Sequence, residues 1–171
     1  GITDGACDCD GNVEDCLGEC GGSAELDDCG ICNGDGLSCN SYFNVEIAET
    51  GSSTLFIFQD VDLSIGDEIA LYDSEGFIDA EGNIGELLVG AGVWLGSQLE
   101  VVAIMGEDLT TFGGPVLPGA INGNPLSINV WKASSGTIHN VGYVVSQGTG
   151  TFDELFTAIT GIYFEDDTPG C

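Results

Sequence analysis

The chain has 171 residues and a net charge of −28, from 29 acidic side chains against a single cation, Lys132. Lys and Arg contacts to phosphate supply most nucleic-acid affinity, so nucleic acid is excluded as a partner; an anionic membrane surface is disfavoured for the same reason. The length suits one domain of ordinary size plus a small appendage.

The chain starts at Gly1 without a signal peptide, as a processed or trimmed form would. No run of 18 apolar residues is present, so no membrane insertion is expected. Eight cysteines set among glycine and aspartate indicate an oxidising compartment, hence a secreted or cell-surface protein. At this charge self-repulsion opposes the compact state, which bound cations or a salty medium would offset.

Residues 1–40 form a Cys/Asp/Gly-rich segment with too few apolar side chains for a core. Seven of the eight cysteines fall in 7–39. Asp8-Cys9, Asp15-Cys16 and Asp28-Cys29 repeat at irregular offsets of 7 and 13 residues, and the interspersed glycines indicate tight turns rather than helix or sheet.

Calcium takes about six to eight hard oxygen ligands. Asp8, Asp10 and Asn12 alternate so as to wrap one ion, with Asp15 spaced to close the site; Asp28, Asn33 and Asp35 offer a second cluster. The match to an EF-hand loop is poor, because glycine falls at loop position 4 rather than 6. Two other readings stand beside calcium: an acidic, disulfide-stapled linker that binds nothing specifically, and a zinc site on Cys16, Cys20, Cys29 and Cys32. Zinc is opposed by the crowd of further cysteines and by the secreted context.

All eight cysteines (Cys7, Cys9, Cys16, Cys20, Cys29, Cys32, Cys39 and Cys171) are expected in disulfides, with connectivity left open. Seven cannot pair among themselves. Cys171 therefore folds back onto the segment or reaches another subunit.

The phrasing D-C-L-G-E-C-G-G followed by D-D-C-G-I-C-N-G-D-G resembles the calcium-binding, thrombospondin type-3-like repeats of bacterial secreted proteins. That resemblance implies calcium on Asp8, Asp10, Asn12, Asp15, Asp28, Asn33 and Asp35, and disulfides along a short rod with little secondary structure.

Residues 41–171 show a period of two. Phe43, Val45 and Ile47 alternate with polar or small residues as a first strand. Residues 55–58 are apolar on both faces, as a central strand would be. Residues 67–72 follow the turn Ser64-Ile65-Gly66-Asp67 and end at the turn Asp73-Ser74-Glu75-Gly76. Residues 84–93 and 99–105 are the strongest strands, joined by Trp94-Leu95-Gly96-Ser97. Residues 127–131 and 138–145 flank the turn Ala133-Ser134-Ser135-Gly136.

Residues 151–164 close the chain as one long or two short strands, with a helical turn from Asp153 as the alternative. Gly85, Gly90, Gly92 and Gly142 mark bulges or close backbone contacts. The pattern predicts an all-β fold, an antiparallel β-sandwich behind a disulfide- and calcium-stapled segment. The stretches G-D-E-I-A-L-Y-D, V-G-A-G-V-W, L-E-V-V-A-I and N-P-L-S-I-N-V-W-K-A-S-S-G resemble a β domain common in large multidomain secreted bacterial proteins, which often sits beside sorting or repeat regions.

No enzymatic motif emerges. His139, the single histidine, has no recognisable partner; no G-x-S-x-G elbow and no phosphate loop in a strand–helix context is present. Acidic pairs can be drawn anywhere among so many carboxylates, so they select nothing.

The expected function is an extracellular structural protein, a calcium-stabilised subunit of a fibre, surface layer or adhesin stalk, self-associating or set beside neighbouring domains. The alternative is a non-catalytic carbohydrate-binding or adhesion module, with Trp94, Trp131 and the tyrosines Tyr42, Tyr72, Tyr143 and Tyr163 as the stacking candidates.

Overall fold

A computed structural model describes residues 5–27, 30, 32–34, 41–153 and 155–164. The chain divides into two compact units, Gly1–Ser41 and Tyr42–Cys171. In the first, none of the described residues is buried and there is no strand longer than an isolated bridge.

The second unit is all-β. Its elements are β1 (Ser53–Gln59), β2 (Glu68–Phe77), β3 (Ile84–Val93), β4 (Gln98–Ile104), β5 (Glu107–Asp108), a 3₁₀ turn (Thr110–Phe112), β6 (Val116–Leu117), β7 (Leu126–Lys132), β8 (Thr137–Gln147) and β9 (Phe156–Phe164). Seven of these strands make one sheet in the order β3-β2-β7-β8-β9-β1-β4, and β5 pairs with β6. Within the large sheet β1 and β9 run parallel; the other neighbours are antiparallel.

The two ends of this order, β3 and β4, are joined by the short link 94–97. They can be neighbours only if the sheet curls round, and it does. A Cβ placed on Gly90 would stand 2.8 Å from the Val102 carbonyl oxygen, and one on Gly92 would stand 3.0 Å from a Leu99 methyl. The two edges thus pack across a seam without a hydrogen-bond ladder, and the sheet forms a nearly closed barrel. The expected two-sheet sandwich is replaced by one curled sheet because bare glycine backbone lets the edges approach.

Alternation fills the interior. Phe56 and Phe58 point inward from β1, Ile69 and Leu71 from β2, and Ile128 and Val130 from β7, all at 0 % exposure. Trp94 closes one end, its N–H bonded to the Asp67 carbonyl oxygen and its carbonyl oxygen accepting the Gly66 N–H.

Gly90→Ala is expected to cost about 1–3 kcal/mol, because a backbone oxygen cannot yield to the new methyl as a side chain would. Gly85→Ala meets only Ile78 at ordinary contact distance and is expected to be close to neutral. Thermal midpoints of the two variants separate the cases.

Three strand expectations need correction. Residues 43–47 form no strand: the Tyr42 and Phe43 N–H groups are taken by the Glu68 carboxylate, and Phe43 and Ile47 join the core from an irregular segment. β2 does not stop at Tyr72 but runs through the expected turn, with register shifts between Leu71 and Tyr72 and between Asp73 and Gly76. The last strand begins at Phe156 rather than 151.

Candidate functional site

The first unit is built from one turn used repeatedly. The Asp15 carbonyl oxygen accepts the Gly18 N–H (3.0 Å), the Val13 carbonyl oxygen accepts the Gly21 N–H (2.9 Å), and Glu14 bridges Cys20. Twelve residues on (13 to 25, 14 to 26, 15 to 27) the pattern recurs: Asp27 oxygen with Gly30 N–H (2.9 Å), Glu25 oxygen with Asn33 N–H (2.8 Å), Leu26 bridging Cys32. Gly18 and Gly30 have φ of 82° and 77°, the left-handed conformation that glycine adopts without steric cost. Asn33 takes the same hand at φ 53°, where Gly21 has 70°.

Two disulfides lace the turns together. Cys7 bonds Cys20 and Cys16 bonds Cys32, across separations of 13 and 16 residues, so each bridge starts inside or before the loop closed by the other. Among the described residues Cys9 is a free, exposed thiol. Cys29, Cys39 and Cys171 lie outside the described residues.

Among the described residues the expected calcium ligands form no cluster of three carboxylates. Asp8 Oδ1 accepts the backbone N–H groups of Asp10 (2.9 Å) and Asn12 (3.0 Å), and its Oδ2 accepts the Asn12 side-chain amide (2.6 Å). Asp15 Oδ1 accepts the N–H groups of Leu17 (3.0 Å) and Glu19 (2.9 Å), and its Oδ2 that of Ala24 (3.1 Å). Asp10 sits exposed in the first of these turns, Asn33 lies in a later one, and Asp28 and Asp35 fall outside the described residues.

Among the described residues one grouping of three ligand-type side chains comes together, Cys7, Asp8 and Cys20, and its two sulfurs are already bonded to each other. Calcium wants a shell of convergent oxygens; Asp8 and Asp15 each turn both oxygens to N–H donors of the first unit. The described residues bring no such shell together. They do not fit zinc either, since Cys16 and Cys20 are spent in separate bridges.

These hydrogen bonds hold both carboxyls below their ordinary range, the Asn12 amide acting most strongly on Asp8 and the Glu19 N–H on Asp15. A depressed folded value means the stabilisation is complete above the ordinary carboxylate pKa of about 4 and fades as pH falls through the lowered one. Protection of the Asn12 and Glu19 amides against hydrogen exchange is expected to persist at pH 5 and to decline below about pH 4.

In the barrel the notable polar groups are three buried acids. Asp67, fully buried, accepts Lys132 Nζ (2.5 Å) and the N–H groups of Ser64 (2.9 Å) and Ala133 (3.0 Å). Glu68 clamps the Tyr42 and Phe43 N–H groups at 2.7–3.0 Å. Asp73, also fully buried, accepts the Ile121 N–H (2.8 Å) and the Asn124 amide (3.0 Å), tying the 121–124 turn to β2. Sequence reasoning passed over all three as members of an acidic crowd; their signal is an acid interrupting an apolar run, at Asp67-Glu68 and after Leu71-Tyr72.

His139 Nε2 lies 2.8 Å from Thr137 Oγ1, itself 2.6 Å from Ser135 Oγ, and the imidazole meets Phe164 edge-on at 5.4 Å. This chain of hydroxyls lies along the β7–β8 hairpin on exposed residues. The tryptophans do not present a stacking platform: Trp94 is 3 % exposed, and Trp131 is stacked under Tyr42 with centroids 5.2 Å apart. Comparisons with protein-family models, with curated proteins and with solved structures find no match for this chain.

Proposed function

We propose that the chain is an extracellular structural subunit: a disulfide-laced spacer joined to a rigid barrel, self-associating or set beside further domains in a surface fibre, layer or adhesin stalk. The observation that carries this reading is the interleaved pair Cys7–Cys20 and Cys16–Cys32. A segment with no buried residue among those described keeps a fixed shape only while such bridges persist, and they persist outside reducing compartments.

The barrel supports the same reading. Its buried acids Asp67, Glu68 and Asp73 are spent on holding loops and turns, and its tryptophans on packing. The β3–β4 seam is filled by the close contacts of Gly90 and Gly92, so an incoming strand has no room between these edges and assembly runs through other surfaces.

Negative-stain microscopy of the natively purified, non-reduced protein tests the proposal. Filaments, sheets or ladders of particles are expected; uniformly single compact particles at high concentration would count against self-association and leave only the reading as one domain of a larger surface protein.

A further inference from the structure

We propose that Asp8 and Asp15, the acids best placed by sequence to bind calcium, are clasps of a self-sufficient turn and that the turns they close hold their shape without the ion. The decisive comparison lies inside the chain. Asp8-Cys9-Asp10-Gly11-Asn12 has a twin in the barrel, Asp79-Ala80-Glu81-Gly82-Asn83, which joins β2 to β3.

Asp79 Oδ1 accepts the N–H groups of Glu81 (3.1 Å) and Asn83 (3.0 Å), and its Oδ2 accepts the Asn83 amide (2.7 Å). Bond for bond this is the arrangement at Asp8, and the glycines match as well, with φ of 81° at Gly82 and 86° at Gly11. The barrel copy closes an ordinary hairpin, with the Ile78 N–H on the Asn83 carbonyl oxygen at 2.9 Å. The same Asp-x-x-Gly-Asn frame therefore serves as a turn in two settings, one of them without a cysteine.

The chemistry is a competition for lone pairs. A cation on Asp8 Oδ2 would share that oxygen with the Asn12 amide. It would also need further oxygens, and among the described residues no cluster of three carboxylates gathers around Asp8. Asp15 is seated more firmly still: a Cβ on Gly22 would overlap its Oδ2, so that glycine exists where the carboxylate lies inward against the chain.

The two uses of Asn12 predict opposite outcomes for Asn12→Asp. As a clasp, Asn12 contributes N–H, and a carboxylate in its place faces Asp8 across the 2.6 Å contact and opens the turn. As a ligand it contributes oxygen, and a carboxylate would tighten calcium.

The experiment is amide hydrogen exchange on the full, non-reduced chain, in excess EDTA and in millimolar calcium, for the native protein, Asn12→Asp and Asn83→Asp. Equal protection of the Asp10, Asn12, Leu17 and Glu19 amides with and without calcium is expected. Asn12→Asp should lower protection in its turn about tenfold in both media, as expected for one lost charge-assisted hydrogen bond, with Asn83→Asp doing the same in the barrel. Calcium-dependent protection of those amides in the native chain, or restored by calcium in Asn12→Asp, would overturn the proposal.

Discussion

Lys132→Met is expected to destabilise the barrel by about 3–5 kcal/mol, the cost of leaving a buried charge without its partner. Lys132 is the only lysine or arginine in the protein, and it is spent on a fully buried carboxylate, that of Asp67, at 2.5 Å. With lysine removed, Asp67 keeps the Ser64 and Ala133 N–H groups but loses its countercharge in a place water does not reach. Against a typical domain stability of about 5–15 kcal/mol that is a large fraction.

Removing the charge as well, in Asp67→Asn/Lys132→Met, is expected to recover part of the loss, because the buried group is then neutral. Urea midpoints for the single and double variants measure both. A single-variant cost below about 1 kcal/mol would place the pair among ordinary exposed ion pairs.

Reduction is expected to unfold the first unit and leave the barrel's melting unchanged. The loops closed by Cys7–Cys20 and Cys16–Cys32 are of a length for which each bridge contributes about 3 kcal/mol, and no described residue of that unit is buried to compensate. The barrel's strands contain no cysteine.

Proteolysis shows the difference if the enzyme is chosen for the composition. Trypsin has one basic site to use, Lys132, whereas a glutamate-directed protease has Glu14, Glu19 and Glu25 in the laced segment. Cleavage there only after reduction, with the barrel's thermal transition unmoved, is the expected outcome. A barrel transition that falls on reduction would contradict it.

The strands most legible in the sequence were those whose neighbours reinforce the pattern. Ile84–Val93 was read to the residue, and β4, β7 and β8 to within a residue or two, because alternation and flanking turns agree there. Residues 43–47 alternate just as well yet make no strand, since a carboxylate 25 residues away takes the Phe43 N–H. Periodicity registers which side chains turn inward and is blind to what the backbone bonds to.

Barrel closure was illegible for a related reason: it depends on two sheet ends meeting, and the glycines that allow it read equally as bulges. In the first unit the Asp-Cys spacing suggested offsets of 7 and 13, while the turns repeat at 12, aligned on glycine and backbone bonds instead of on the acids. Aspartate at such spacing looks alike whether its oxygens face an ion or its own backbone; the hydrogen bonds that Asp8 shares in kind with Asp79 show only in three dimensions.

Disulfide mapping of the natively produced, non-reduced protein by peptide mass spectrometry tests the structural reading most directly. The linkages Cys7–Cys20 and Cys16–Cys32 are predicted, recovered in peptides that separate on reduction. Finding those four cysteines as free thiols would contradict a disulfide-built extracellular spacer.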